Sequence, residues 1–293
     1  MRYLGDLVLV ARPRQWVKNS VCLAPLLFSG FLVYPDSARR ALICLLCFCF
    51  SSSAIYIFND ILDRRHDQAH PAKRHRPIAA GRLPGSVALM EAAVLVVMSL
   101  SASLLLSSRF RWLLVSFLLL HSLYSLRLKS VAILDVMSIA LGFVVRVQAG
   151  IEAIECPQSA WIVLCMFFIA LLLGFGKRRG ELTSPNTAAL RDHRPVLAAY
   201  SVAYLDILLG LSAATALVCY SIYSIMVQAN ETFLVTILPV AFGIARYMML
   251  AVVQTGGECP DEVLMRDVPL VLTMALWTAL CIGVLYFDFR LFS

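Results

Sequence analysis

The sequence has little charge and few of the features that mark a water-soluble protein. Only 15% of its 293 residues are charged, whereas 60% are hydrophobic and the mean hydropathy is +0.82. A soluble domain would not stay in solution with this balance. The composition therefore indicates that the lipid bilayer is the solvent of this chain.

The sequence also lacks the cysteine spacing of a zinc finger or a disulfide framework. Most of its nine cysteines fall inside apolar runs, where cysteine behaves as a small hydrophobic residue. Cys156 and Cys259 lie on loops predicted to face opposite sides of the membrane. We therefore expect neither a structural zinc site nor disulfide bonds.

Long apolar runs predict an all-α integral membrane protein. A hydrocarbon core about 30 Å thick needs roughly 20 mostly apolar residues per helix. The predicted spans are 19–35, 39–58, 86–107, 111–126, 132–150, 159–176, 196–226, 232–252 and 268–287. Residues 1–18 are predicted to form an interfacial segment without a removed signal peptide. The whole chain, 1–293, is expected to be a single transmembrane domain.

The basic residues are distributed unevenly between the two predicted membrane faces. Most of the 25 Lys and Arg residues lie in the N-terminal segment and in alternate loops. Because such residues stay on the cytoplasmic side, we expect a cytoplasmic N-terminus and an external C-terminus in a bacterial plasma (inner) membrane. No nucleic-acid partner is expected, since the charge is spread over short loops rather than one basic domain.

An acidic motif, Asn59-Asp60-Ile61-Leu62-Asp63-Arg64-Arg65-His66-Asp67, follows the second predicted span. Spacings of three and four predict that Asp60, Asp63 and Asp67 share one face of a continued helix. Crowded carboxylates repel each other unless cations intervene, and Mg²⁺ typically bridges carboxylates to substrate phosphates. The motif therefore predicts a diphosphate site. The alternative is that the adjacent cations 64–66 pair with these acids on a solvated helix end.

Two further groups of polar residues accompany the motif. Lys73 and Arg76 lie in the next loop and could neutralise phosphate oxygens. Asp135, Gly142 and Arg146 fall within one predicted span, at spacings that place them on nearly the same helix face. We expect this polar seam to face a cavity, because ionisable groups within a span are costly. The alternative is a structural contact between helices.

The acidic motif and the following Arg76-Pro77-Ile78-Ala79-Ala80-Gly81 stretch resemble the UbiA superfamily of intramembrane prenyltransferases. The resemblance implies a bundle of nine transmembrane helices around a cavity that opens to the cytoplasmic face and laterally to lipid. It also implies active-site loops at 59–85 and 174–195. Mg²⁺ bound by Asn59, Asp60, Asp63 and Asp67 would hold the diphosphate of a donor substrate.

The second half of the chain departs from the prenyltransferase pattern. Lys177, Arg178 and Arg179 stand where a second Asp-rich motif is expected. This departure resembles the decaprenyl-phosphate phosphoribosyltransferase branch, which matches further at 12–19, at 128–129 with Asp135 and 142–146, at 176–182 and at 256–267.

The closer resemblance implies a Mg²⁺-dependent enzyme that moves 5-phosphoribose from phosphoribosyl pyrophosphate to a polyprenyl phosphate, with release of diphosphate. Asp60, Asp63 and Asp67 would carry catalysis through the metal. The residues expected to bind substrate are Arg14, Lys18, Lys73, Arg76, Lys129, Asp135, Arg146, Lys177 and Arg178.

Two other functions stay open from the sequence. The chain could transfer a prenyl group to an aromatic or other small acceptor, although it lacks the second Asp-rich motif. It could instead transport a polyprenyl phosphate, although no internal repeat of the kind common in transporters is evident. A homo-oligomer is also left open.

Overall fold

The computed structural model describes residues 2–69, 73–184, 195–228, 231–253 and 266–287, and this part of the chain is all-helical. The α-helices are α1 (Arg2–Ala11), α2 (Ala24–Phe28), α3 (Pro35–Leu62), α4 (Arg64–Ala69), α5 (Gly85–Ser103), α6 (Ser108–Leu126), α7 (Leu134–Ile154), α8 (Ala160–Thr183), α9 (Val202–Met226), α10 (Ile237–Val253) and α11 (Val268–Tyr286). The 3-10 helices are Pro13–Leu23, Phe31–Val33, Lys73–His75, Leu128–Ser130, Pro195–Ala199 and Glu231–Thr236.

Seven described helical segments are long and apolar enough to cross a membrane. They are α3, α5, α7, α8, α9, the segment Glu231–Val253 and α11. The prediction of an integral membrane protein is thus confirmed, but the predicted count of nine spans is not. Helix α6 has 19 residues, and Arg109, Arg111 and His121 make it less apolar than the seven.

The predicted first span, 19–35, is not one continuous helix. The chain there forms the 3-10 helix Pro13–Leu23, the short helix α2 and the 3-10 helix Phe31–Val33. Gly30 interrupts it with a φ of 77°, a left-handed conformation that glycine adopts without strain. An apolar run alone could not reveal this interruption, because hydropathy carries no information about backbone geometry.

The chain divides into two compact units. The first consists of Met1–Leu128 and Val145–Pro157. Its core includes Phe48, Phe110 and Phe117, which pack edge to face around α3 and α6. Small residues bring its helices close together: Ser51 and Ser99 are hydrogen-bonded at 2.8 Å between α3 and α5.

The second unit consists of Lys129–Val144 and Gln158–Ser293. Its core packs the first part of α7 against α8 and α9, with Val136, Leu172, Leu205 and Leu209 buried. Gly174 on α8 lets Val136 approach so closely that a Cβ atom there would overlap with the valine side chain. The polar ends of α7 and α8 are thereby brought together.

Both predicted active-site loops contain more helix than expected. Residues 59–85 include the end of α3, helix α4 and the 3-10 helix Lys73–His75, with residues 70–72 outside the described part. The predicted loop 174–195 begins inside α8, which continues to Thr183. Its residues 185–194 are outside the described part.

Candidate active site

The acidic cluster, Asp60, Asp63 and Asp67, lies where α3 gives way to α4. Helix α3 ends at Leu62 and Asp63 is its C-cap, so the predicted continuous helix is interrupted at the middle carboxylate. Asp60 and Asp67 are buried, at 2% and 3% exposure. Asp63 instead accepts a hydrogen bond from Asn59 Nδ2 at 3.0 Å. Backbone hydrogen bonds from the Asp63 N–H to the Asn59 carbonyl at 2.9 Å and from the Asp67 N–H to the Asp63 carbonyl at 2.8 Å carry the chain through this turn.

Two arginines neutralise the buried carboxylates of this cluster. Arg76 Nη1 donates to Asp60 Oδ1 at 3.0 Å and to Asp67 Oδ2 at 2.7 Å. Arg12 pairs with the same Asp60 oxygen. Charge-assisted hydrogen bonds of this kind are about twice as strong as neutral ones. The adjacent cations 64–66 are exposed, so the acids do pair with arginines, but with distant ones.

Arg12 reaches Asp60 from an unusual backbone conformation. Its φ is 52°, in the left-handed region that few non-glycine residues occupy. Its guanidinium carbon lies 5.2 Å from the centre of the Tyr56 ring, within the range of a cation–π interaction. Such strain persists only where the surroundings hold it, and it is common at functional sites.

The loop that carries Arg76 is anchored to α1. Arg82 Nε donates to Asp6 Oδ1 at 3.0 Å, and Arg82 Nη2 donates to the His75 carbonyl at 3.1 Å. Gly81 adopts a φ of 72°, which explains why the motif ends on glycine. Lys73 is half-buried at the start of this loop. The first unit thus gathers Asp60, Asp67 and Arg76 at one site.

The N-terminal 3-10 helix contacts a second polar group within the first unit. Arg146 is buried, donates to Asn19 Oδ1 at 2.8 Å and lies 4.5 Å above the Phe117 ring. Arg14 is exposed and Lys18 is half-buried on the same 3-10 helix. Within the first unit Arg146 contacts Asn19 and Ser52, whereas Asp135 contacts Arg178 and Tyr200 within the second unit.

The basic cluster, Lys177, Arg178 and Arg179, lies in the last turns of α8 in the second unit. Arg178 is 1% exposed; its Nε donates to Asp135 Oδ2 at 2.6 Å and its Nη1 to Glu181 Oε2 at 2.8 Å. The sequence predicted Arg178 as a substrate ligand. The structure places this guanidinium against two carboxylates of the protein.

Tyr200 completes this buried network. Its hydroxyl donates to Asp135 Oδ1 at 2.6 Å and accepts the backbone N–H of Ile133 at 2.5 Å. Burial, together with the Asp135 hydrogen bond, raises the pKa of Tyr200 well above its ordinary value of 10.0. The phenol therefore stays protonated at physiological pH and remains a donor to Asp135.

The remaining cations of the second unit differ in burial. Arg179 is 6% exposed; it pairs with Asp206 and donates to the Ala251 carbonyl at 2.8 Å. Lys177 and Lys129 are both half-buried. The arginines of the basic cluster thus face the protein interior, whereas its lysine lies nearer the surface.

The oxygen donors of the acidic cluster are of the kind that Mg²⁺ prefers. Within the described ranges, no three acidic, His or Cys side chains could hold a metal ion by themselves. The two buried carboxylates nevertheless converge on one cationic nitrogen of Arg76. Mg²⁺ requires about six oxygen ligands and often takes several from water and substrate phosphates. The donor set therefore fits an ion bound together with a phosphorylated substrate.

Four contributors to these networks were not among the predicted site residues: Arg12, Glu181, Tyr200 and Asp206. Glu181 could have been found, because it lies one helical turn after Arg178. The others depend on pairing across long sequence separations.

An all-helical membrane fold with an Asp-rich cluster after a long span defines a class of intramembrane transferases. The UbiA prenyltransferase family model matches residues 22–176. The chain belongs to this family and is a bacterial integral membrane protein.

Two similar proteins carry a name that is more specific than the family name. Decaprenyl-phosphate phosphoribosyltransferase of Mycolicibacterium smegmatis is 32% identical over 97% of this chain and 94% of its own. The protein of the same name from Mycobacterium tuberculosis is 33% identical over 94% of this chain and 93% of its own. Both relatives therefore match the chain over nearly their whole length.

Solved structures confirm the fold. A UbiA homolog from Archaeoglobus fulgidus bound to GPP and Mg²⁺ superimposes with a TM-score of 0.77 at 18% identity, covering 96% of this chain and 99% of its own. The same homolog bound to DMAPP and Mg²⁺ gives a TM-score of 0.76. At this identity, the likeness concerns the fold alone.

Proposed function

We propose that this enzyme transfers 5-phosphoribose from phosphoribosyl pyrophosphate to a polyprenyl phosphate of the decaprenyl type. The observation that carries the proposal is identity of about a third, over almost the full length, to relatives named for that reaction. The basic cluster supports it, since lysine and arginine stand where prenyltransferases would repeat carboxylates.

In the proposed reaction, the bond between ribosyl C1 and the diphosphate breaks, and a bond from C1 to an oxygen of the lipid phosphate forms. The lipid phosphate supplies the electron pair and diphosphate leaves with the pair of the broken bond. No protein nucleophile is required, and a phosphate monoester is already ionised near neutral pH. The task left to the protein is to hold two anions together.

The acidic cluster and its arginines suit the diphosphate end of the donor. Mg²⁺ bound at this cluster would neutralise negative charge on the leaving diphosphate. Asp60, Asp63 and Asp67 would hold the ion, with Asn59 fixing Asp63. The cations assigned to the substrate phosphates are Arg14, Lys18, Lys73, Arg76, Lys129 and Lys177. We place this site on the cytoplasmic side, as the charge distribution predicts.

The geometry changes the roles proposed for three substrate-binding candidates. Asp135, Arg146 and Arg178 are buried and bonded to other side chains. We propose that they support the site rather than touch the substrate. Direct contact with phosphate is proposed for the less buried cations, which are Arg14, Arg76 and the four lysines.

Incubation of the purified protein with labelled phosphoribosyl pyrophosphate, Mg²⁺ and polyprenyl phosphates tests the proposal. We expect a labelled lipid product that is lost on chelation and in Asp60→Asn. Asp36→Asn is the matched control, because Asp36 is an exposed carboxylate of the same helix paired with Arg39 and Arg40. This control should retain activity.

The main alternative is prenyl transfer to an aromatic or other small acceptor, which the fold neighbours with DMAPP or GPP make worth testing. The same preparation is therefore given prenyl diphosphate and an aromatic acid. Consumption of that pair, with phosphoribosyl pyrophosphate left intact, would overturn the proposed function.

A further inference from the structure

The turn that precedes α7 holds a β-branched residue in a left-handed conformation. Ile133 has a φ of 70°, which is rare for a residue with a branched Cβ. Its side chain is 39% exposed, so burial of that side chain does not account for the conformation. An external contact must therefore hold the turn.

Tyr200 provides that contact. One hydroxyl accepts the Ile133 N–H at 2.5 Å and donates to Asp135 Oδ1 at 2.6 Å. The same atom thus ties the strained turn to the first residues of α7. Phenylalanine in its place could satisfy neither group.

The hydrogen-bond network of Tyr200 continues from this turn to the end of α8. Asp135 is fully buried and accepts from Arg178, which also donates to Glu181. Lys129 lies four residues before Ile133, on the 3-10 helix Leu128–Ser130, and Lys177 directly precedes Arg178. Two lysines assigned to substrate phosphates are therefore carried by segments that this network joins.

We propose that Tyr200 is a positioning residue that sets Lys129 relative to Lys177 for one phosphate monoester. The inference rests on the proposed function of the two lysines. The phosphate belongs either to the sugar donor or to the lipid acceptor, and both present the same doubly charged group. A pair of lysines binds such a group well only when their separation is fixed, because each ammonium acts as a compact point charge on a flexible stem.

The test compares Tyr200→Phe with Tyr220→Phe. Tyr220 is the matched control, since it is a buried tyrosine of the same unit whose hydroxyl bonds to Thr236 and Trp277 instead. Tyr200→Phe should raise the KM of one phosphate substrate about tenfold, the equivalent of one lost hydrogen bond, with kcat changed less than about threefold. Which KM rises identifies the phosphate. Equal KM values in Tyr200→Phe and wild type, for both substrates, would overturn the inference.

A second substitution separates positioning from simple stability. Adding Ile133→Gly to Tyr200→Phe lets the turn keep its φ without strain, because glycine lacks a Cβ. We expect the KM to return to within about threefold of wild type. If the melting temperature recovers and the KM does not, Tyr200 is only structural and the inference is wrong.

A measurement that does not require catalysis tests this inference separately from the proposed function. Inorganic phosphate should slow the acylation of Lys129 and Lys177 by an amine-reactive ester, measured by mass spectrometry. The protection should weaken in Tyr200→Phe and persist in Tyr220→Phe. Equal protection in all three proteins contradicts the inference, whereas absence of phosphoribosyl transfer in the wild type contradicts only the proposed reaction.

Discussion

Gly150→Ala should destabilise the first unit, because no room exists for a methyl group there. A Cβ at Gly150 would overlap the carbonyl oxygen of Cys22 and lie 3.1 Å from both the Cys22 carbonyl carbon and Pro25 Cγ. Most of these atoms are backbone or ring atoms that cannot rotate away. Overpacking of this kind costs about 1–3 kcal/mol, and the better helix propensity of alanine returns about 1 kcal/mol.

The net loss should therefore be about 0–2 kcal/mol, toward the upper end because the overlapping atoms cannot move away. Gly210→Ala is the matched control, since Gly210 is also within a membrane-spanning helix and a Cβ there meets nothing within 4 Å. It should leave stability unchanged or raise it by up to about 1 kcal/mol. Unfolding of both purified variants in mixed detergent and SDS, followed by circular dichroism, measures the difference.

The overlap created by Gly150→Ala should also displace the N-terminal segment that carries Cys22. Cys22 follows Asn19 on the same 3-10 helix, and Asn19 accepts the hydrogen bond from Arg146. Displacing this helix should weaken that bond and lower activity along with stability. Equal stability of Gly150→Ala and Gly210→Ala would refute the close approach of α7 and the Cys22 segment.

Three further substitutions probe the charged groups. Arg76→Ala should tighten Mn²⁺ binding about tenfold in the absence of substrate, because it removes a guanidinium that competes for the carboxylates with about 1.5 kcal/mol. Electron paramagnetic resonance measures the affinity, and an unchanged value would contradict a site at which Arg76 and the metal ion share the carboxylates. Asp206→Asn should cost about 1 kcal/mol in SDS unfolding, since Arg179 loses its carboxylate partner, and no loss would show that the pair is unimportant. Asp267→Asn should lower Tm at pH 7, because Arg246 lowers the pKa of Asp267 from 3.8. The difference in Tm between wild type and variant should vanish as the pH falls through the lowered pKa, and a difference that stays constant with pH would contradict the pairing.

Long apolar runs made most of the membrane helices predictable. Helix α9 and helix α11 match their predicted spans closely at one or both ends, since length and hydropathy suffice to identify a segment that must hide its backbone from lipid. The broken segment at 19–35 was not predictable in this way. Its interruption depends on a left-handed glycine and on 3-10 geometry, which hydropathy does not describe.

Local spacing indicated which charged residues would lie near each other along the chain. It did not indicate which other residues would pair with them. The placement of Asp60 and Asp67 near each other follows from their separation by seven residues along the chain. The cations that neutralise them, Arg12 and Arg76, come from other segments, and one depends on a strained backbone. The pairing of Arg178 with Asp135 likewise spans 43 residues, a distance over which helical periodicity predicts nothing.

The buried cysteines offer a practical route to membrane topology. All eight cysteines in the described part of the chain are buried, and burial raises the pKa of Cys156, which lies outside the spans. Protonated, enclosed thiols react slowly with maleimides. Once Cys259 is replaced by serine, cysteines introduced at loop positions such as Lys73 should label over a nearly silent background in whole cells, so that impermeant reagents report the sidedness of each loop directly.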